Sequence, residues 1–228
     1  MKQRLKRREK IGSLGYCRIF EMIFMRMVAK GAEGEIFELE KGGKKQILKR
    51  RVVKKYRIPE LDKKIREART KREAKVLFAA KLAGVKCPLV YEVKMKETEI
   101  LMEKIEGKRL RELLIEGTKG ARKILIEVGE NLAKLHNSNI IHGDFSTANV
   151  LVTWKGEIAV IDFGLAEISA SIEDKATDVL VFKKSSKKEE FEEFWKGYAK
   201  ESKNAKAVFR QLMEIETRGR YVARAQAG

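Results

Sequence analysis

The spacing of apolar residues changes at a few sharp points along this 228-residue chain, and those points divide it. From Arg26 to Arg51 short apolar runs alternate with charged residues and are broken by glycine: Met27-Val28-Ala29, Glu35 to Leu39 and Gln46 to Lys49, separated by Lys30 to Gly34 and by Gly42-Gly43. Such alternation bounded by turn residues predicts antiparallel strands. Pro59 then opens a segment reaching about Leu82 in which Leu61, Ile65, Ala68, Val76, Ala79 and Ala83 recur at helical spacing, so one long helix with that stripe inward is expected. After Gly84 and Pro88, strands are expected around 89–94 and 99–102, and Glu103 to Gly107 reads as a linker. Beyond it the pattern is helical, over 109–116, 119–137 with Ile124, Val128, Leu132 and Leu135 as its stripe, 173–183, 187–201 and 204–217. A single hairpin, Val150 to Thr153 and Ile158 to Ile161 about Lys155-Gly156, interrupts the helices. His136 ends one of them and reads as a partner of the helix dipole.

Candidate chemistry flanks that hairpin. Asp144 and Asn149 stand five residues apart before it and Asp162 follows it, with His142 and Gly164 alongside. Two carboxylates and an amide at one place suit phosphoryl transfer, which is mostly positioning and charge neutralisation: Asp144 orients an attacking hydroxyl or water, while Asn149 and Asp162 hold magnesium on the phosphates of ATP. Asp, Asn and Gly are also ordinary turn residues, but four of them together with His142 in this joint pattern are hard to assign to turns alone. Lys49 is the candidate contact to the α- and β-phosphates, and Glu73, near the buried edge of the long helix, needs a cation that Lys49 would supply. The turn Gly31-Ala32-Glu33-Gly34 could bring backbone N–H groups to phosphate, with a plain hairpin equally open from this segment. Met102, Glu103 and Ile105 sit where a linker backbone could bind adenine. The expected fold class is α+β and bilobal, protein-kinase-like: an N-lobe over residues 25–104, small and β-rich with one long helix, and a minimal, mostly helical C-lobe over 105–217.

Charge adds a partner to this picture. Lys and Arg total 51 against 33 Asp and Glu, a net +18, which favours a polyanion and nucleic acid ahead of a membrane, since no spanning segment or lipidation signal is present. Lysine and arginine solvating helix faces is the competing account of the same numbers. Residues 218–228 form a basic tail in which Arg218, Arg220 and Arg224 accompany Tyr221. Residues 1–24 are expected to be an extension: Arg18, Glu21 and Arg26 break the apolar stretch too often for a signal peptide, and Met25 or Met27 could be the authentic start. Cys17 and Cys87 have neither metal-ligand spacing nor disulfide density, which fits a reducing, cytosolic setting.

Taken jointly, Lys30-Gly31-Ala32-Glu33, Lys49, Tyr56-Arg57-x-Pro59, Arg69-Thr70-x-x-Glu73-Ala74, His142-Gly143-Asp144 through Asn149, Asp162-Phe163-Gly164, Glu173 through Asp178 and Arg218-Gly219-Arg220 resemble the kinase-ATPase subunit family of the KEOPS (EKC) complex, small atypical relatives of the RIO kinases. The resemblance runs from about residue 26 onward. It implies ATP and Mg2+ as cofactors, Lys49 on the phosphates paired with Glu73, Asp144 as catalytic residue, and Asn149 with Asp162 on the metal. It also implies partnership with a threonylcarbamoyl-transferase subunit and a small helical subunit, work on tRNA, ATPase more than protein-kinase behaviour, and a tail that meets tRNA. Two other readings stay open: a small-molecule kinase of the aminoglycoside or choline type, disfavoured by the positive charge, and a non-catalytic tRNA-binding scaffold. Gly143 stands where protein kinases carry an Arg, no Ala-Pro-Glu follows Gly164, and Gly34 stands where the family commonly has alanine.

Overall fold

The structure, a computed structural model, describes residues 24–31 and 34–225. Its first lobe is an antiparallel sheet in the order β1-β2-β3-β5-β4, formed by β1 (Phe24–Lys30), β2 (Gly34–Lys41), β3 (Lys44–Arg51), β4 (Val90–Lys94) and β5 (Glu99–Glu103). Gly42 and Gly43 both sit at positive φ, 57° and 72°, the two-residue hairpin geometry that matches strand twist. That turn fixes the β2–β3 register, so Ile36 lies opposite Lys49 and Gly34 opposite Arg51. Because side chains alternate along a strand, Lys49 and Arg51 share one face of β3.

That face meets α1 (Pro59–Leu82), which starts on proline at its first turn as expected. The buried stripe of α1 differs from the one read off the apolar spacing. Asp62, Thr70, Glu73, Val76, Leu77 and Ala80 are buried, while Leu61 and Ala68 are exposed. The helix is turned about one residue because its inward polar groups are satisfied: Asp62 by Arg66 at 2.7 Å, Thr70 by the carbonyl of Arg66 at 2.8 Å, and Glu73 by two cations from β3. Apolar periodicity cannot see a face that is buried through ion pairs.

Residues 104–106 lead into the second lobe. Its sheet has the order β6-β8-β9, from β6 (Gly107–Arg109), β8 (Val150–Thr153) and β9 (Ile158–Val160), and a second pair joins β7 (Ile140–Ile141) to β10 (Glu167–Ile168). Five helices pack around them: α2 (Leu110–Ile115), α3 (Ala121–Asn137), α4 (Ile172–Lys184), α5 (Lys188–Glu201) and α6 (Ala205–Ala225). Val128, Leu132 and Leu135 of the expected α3 stripe are buried. α3 and α5 approach closely enough that a Cβ on Gly197 would lie 1.8 Å from the Ile126 carbonyl oxygen and one on Gly129 2.0 Å from that of Phe194. Phe145, from the loop after β7, is fully buried beside the stacked pair Phe182 and Phe194, whose rings are 3.9 Å apart. Burying that ring, worth about 2 kcal/mol, ties the loop carrying Asp144 to the core. The α6 helix runs on through Ala225, so the basic stretch after Thr217 is continuous helix and not an extended tail.

Candidate active site

Three segments far apart in sequence converge where the lobes meet. From β3, Lys49 Nζ donates to Glu73 Oε1 of α1 and to Asp162 Oδ1, each at 2.7 Å. The other oxygen of Glu73 accepts from Arg51 Nη2 at 2.6 Å. Glu73 is only 2% exposed and Arg51 4%, so each is a costly charge to leave buried without its partner. Burial alone would lower the Lys49 pKa, but the carboxylates of Glu73 and Asp162 raise it above its ordinary value. Burial likewise works against an ionised Asp162, yet the Lys49 ammonium holds its pKa below the usual carboxylate value. The expected partnership of Lys49 with Glu73 is therefore present in the geometry, and Arg51 is an addition. Its position two residues after Lys49 was the signal available, since the strand period puts both on one face.

Asp162 has a φ of +61°, a left-handed backbone uncommon for a residue with a side chain. The turn it makes lets the Gly164 N–H reach back to Asp162 Oδ1 at 3.4 Å. Gly164 itself is needed: a Cβ there would stand 2.9 Å from Lys49 Nζ and 3.1 Å from Asp162 Oδ1, inside the ion pair. On the facing loop, Asn149 Nδ2 donates to the Asp144 carbonyl at 2.9 Å and to its Oδ2 at 2.8 Å. With its amino group so engaged, the amide oxygen of Asn149 is the atom left for a cation. Buried His142 joins the two loops, its Nε2 paired with the Ile161 carbonyl at 3.1 Å and its Nδ1 accepting from the Asp144 N–H at 3.3 Å. Those partners require the neutral ring with the proton on Nε2, and burial pushes its pKa down accordingly.

Asp178 of α4 is the second functional residue that sequence reasoning left without a role, although it closes the Glu173-to-Asp178 motif. Its carboxylate accepts from the N–H groups of His142 at 2.6 Å and Gly143 at 2.8 Å, and its Oδ2 lies 3.2 Å from His136 Nε2. His136 is buried and contacts the Tyr198 hydroxyl at 2.8 Å through Nδ1, so it is a buttress beneath the loop and not merely a helix-end charge. Gly143 has φ +79°, and a Cβ on it would meet the Leu165 carbonyl at 2.6 Å. The Arg of protein kinases does not fit this backbone.

At the other edge, Gly31 donates its N–H to the Gly34 carbonyl at 2.9 Å; Ala32 and Glu33 lie outside the described residues. A Cβ on Gly34 would come within 2.5 Å of the Arg50 carbonyl, so alanine is not a neutral alternative on this β2–β3 register. Met102 is buried on β5 opposite Ile47. The Glu103 N–H is taken by the Leu89 carbonyl at 2.8 Å, which leaves the Glu103 carbonyl and the backbone of Ile105 as the linker groups that could meet a base. Arg218 pairs with Glu173 at 3.2 Å on the surface, and the side chains of Arg220 and Arg224 lie outside the described residues. Residues 1–23, including Cys17, also lie outside them; Cys87 is buried, its thiol pushed up to about 11 by burial.

Among the described residues no three His, Cys, Asp or Glu side chains are grouped to hold a metal alone. Asp162 and the Asn149 amide are hard oxygen donors, too few to cage an ion without further oxygens, and that is the donor set magnesium uses when phosphates complete its shell. The residues therefore fit an ATP–magnesium pair. Among the described residues no helix is long and apolar enough to cross a membrane.

A family model described as "RIO domain" matches residues 36–181. The KEOPS complex subunit Bud32 of Pyrococcus abyssi is 39% identical over 213 residues, covering 86% of this chain and 96% of that protein. A probable serine/threonine-protein kinase BUD32 homolog of Archaeoglobus fulgidus is 38% identical over 204 residues, covering 87% and 97%. A probable bifunctional tRNA threonylcarbamoyladenosine biosynthesis protein of Methanobrevibacter smithii is 41% identical over 203 residues, of which this chain spans 36% of the length. Among solved structures, the Rio2 kinase of Chaetomium thermophilum in an ADP/Mg2+-phosphoaspartate complex superposes with a TM-score of 0.59 at 13% identity, over 88% of this chain and 71% of that one, a likeness of fold.

Proposed function

Because the chain belongs to the RIO-domain family, in the branch of the KEOPS kinase-ATPase subunits, we propose that it is a cytoplasmic, magnesium- and ATP-dependent phosphotransferase or ATPase serving threonylcarbamoyladenosine formation in tRNA. The observation that carries this reading is the Lys49 bridge: one ammonium held at 2.7 Å from both the α1 carboxylate Glu73 and the loop carboxylate Asp162, which ties the β3 strand and α1 of the first lobe to the metal-ligand loop of the second.

Bound ATP–magnesium supplies the transferable phosphoryl group and the neutralising charge. Lys49 would donate to phosphate oxygens in place of its bond to Asp162, with Glu73 and Arg51 keeping it aimed. Asn149 and Asp162 would hold the ion. Asp144, exposed on its loop, would orient the acceptor hydroxyl or water, and Asp178 with His142 keeps that loop in register with Asp162. A left-handed Gly143 and the absence of an Ala-Pro-Glu segment remove the parts that protein kinases use to read a phosphorylated loop and seat a peptide, which favours ATP turnover governed by partners. The partners we assign are a threonylcarbamoyl-transferase subunit, a small helical subunit and tRNA, with Arg218, Arg220 and Arg224 among the tRNA contacts. The net +18 charge disfavours a cationic metabolite as acceptor.

The test is magnesium-dependent ATP hydrolysis by the purified chain and by Asp162→Asn, with and without tRNA. Turnover is expected to vanish in the variant while circular dichroism stays unchanged. An undiminished rate in the folded variant refutes the assignment.

A further inference from the structure

A second groove, of about 460 Å³, opens beside the linker between the lobes. The β2–β3 turn, linker residues 103–106 and the β8–β9 turn wall it, and none of Lys49, Glu73, Asp144, Asn149 or Asp162 lines it. It shares with the nucleotide reading only the linker residues Glu103 and Ile105, through their backbone, and the phosphoryl-transfer side chains stand outside it. Two aromatic side chains do line it, and both face solvent: Trp154 is 75% exposed at the tip of the β8–β9 turn and Tyr91 of β4 is 44% exposed. An indole so exposed adds little to the core, while its flat face is the surface on which a nucleobase stacks.

The same walls are cationic. Lys45, Lys86 and Lys104 are held by Glu106 at 2.8 Å, Glu157 at 2.9 Å and Glu38 at 2.6 Å, which sets the frame of the groove. Lys44, at the start of β3, and Lys155, on the β8–β9 turn, make no close ion pair among the described residues; Lys155 feels only the Glu157 carboxylate that Lys86 already holds. Surface lysine pairs are weak and exchange readily for phosphate, and the two unpaired ammonium groups need no exchange. Aromatic faces set between cations on opposing rims match a single strand, whose bases are free to stack, better than a duplex, whose bases are not. An acidic peptide would engage the lysines and leave the indole unused.

We propose that this groove binds a single-stranded segment of RNA, with a base stacked on Trp154 and the flanking phosphates on Lys44 and Lys155. The proposal rests on the tRNA reading above and gives it a location on the kinase-like lobes distinct from the basic end of α6.

The experiment measures binding of a 5′-labelled short oligouridylate, and of tRNA, to the full chain by fluorescence anisotropy. The variants are Trp154→Ala, Trp154→Phe and the pair Lys44→Gln with Lys155→Gln. Trp154→Ala should weaken the oligouridylate about tenfold and Trp154→Phe should restore most of that loss, since every aromatic ring offers a stacking face. The lysine pair should lower the slope of log affinity against log salt by about 1.4, roughly 0.7 for each single-strand phosphate contact. ATP hydrolysis without RNA should be unchanged in all three. Equal oligouridylate binding by wild type and Trp154→Ala overturns the groove and leaves the tRNA reading standing. Failure of both RNAs to bind wild type overturns both. An oligoglutamate that binds as tightly as oligouridylate, with both indifferent to Trp154→Ala, makes the groove a site for acidic protein and overturns the proposal.

Discussion

Replacing Glu73 by alanine should cost more stability than replacing Lys49 by methionine, although each removes the same ion pair. The difference comes from what is left behind. In Glu73→Ala the Arg51 guanidinium, 4% exposed, keeps its charge and loses the carboxylate it meets at 2.6 Å. A buried charge stripped of its partner costs about 3–5 kcal/mol. In Lys49→Met, Glu73 retains Arg51, and the other former partner, Asp162, is 50% exposed and can return to water. That loss is smaller, about 1.5–3 kcal/mol, the net worth of a hydrogen bond between charged groups. Urea unfolding followed by circular dichroism reads the contrast: with m of about 2–3 kcal/mol per molar, a 3 kcal/mol loss moves the midpoint by about 1–1.5 M. Both variants should lose ATP turnover, so activity alone does not separate them. The double variant Glu73→Ala with Arg51→Met should be more stable than Glu73→Ala by at least about 1 kcal/mol, because it removes the orphaned charge. Equal losses in the two single variants, or a double variant weaker than Glu73→Ala, refute Arg51 as the second anchor of α1.

Three further outcomes follow from other parts of the molecule. Gly197→Ala forces a Cβ to within 1.8 Å of the Ile126 carbonyl at the α3–α5 seam, so thermal unfolding should show a loss of at least about 1–3 kcal/mol; a change under about 0.5 would mean the seam yields. Asp178→Asn puts an amino group opposite one of the His142 and Gly143 N–H groups, and kcat should fall at least about tenfold with the KM for ATP little changed; an equal rise in KM with kcat intact would contradict a positioning role. His136 and His142 are both held neutral, their pKa values pushed below 6.5 chiefly by burial. Below that value the unfolded chain takes up protons the folded chain refuses, so stability should fall as pH drops from about 7 toward 5, by up to about 1.4 kcal/mol per pH unit per histidine, and His136→Asn should flatten the dependence.

The helices α2 to α5 and the hairpin about Lys155-Gly156 could be read from residue spacing, because there one face of each element is buried by apolar contact and period follows burial, whereas α6 runs eight residues past its expected end at 217. The loop residues around Asp144 and Asp162 were legible for a different reason: their types and local separations are set by a turn and a short hairpin, which are local structures. The α1 stripe was misread because its inward face is polar. Spacing from Val76 placed Glu73 near the buried edge, but nothing in the helix's own pattern reveals that Asp62 and Thr70 face in as well, since Asp62 is compensated by Arg66 and Thr70 by a helix carbonyl, and the second cation on Glu73, Arg51, comes from another element. The short strands β6, β7 and β10, two or three residues long, carry too little pattern to be seen.

Local spacing, turn chemistry and the identities of the acidic and amide side chains were therefore in the chain's order of residues, because each depends on neighbours within a few positions. Which charge meets which was not. Arg51 beside Glu73, Asp178 beneath the backbone of Gly143, and Trp154 lining one groove with Lys44 each join residues brought together by strand register and lobe packing. Contacts of that kind follow from where whole elements come to rest, and that placement is settled by burial summed over the entire fold.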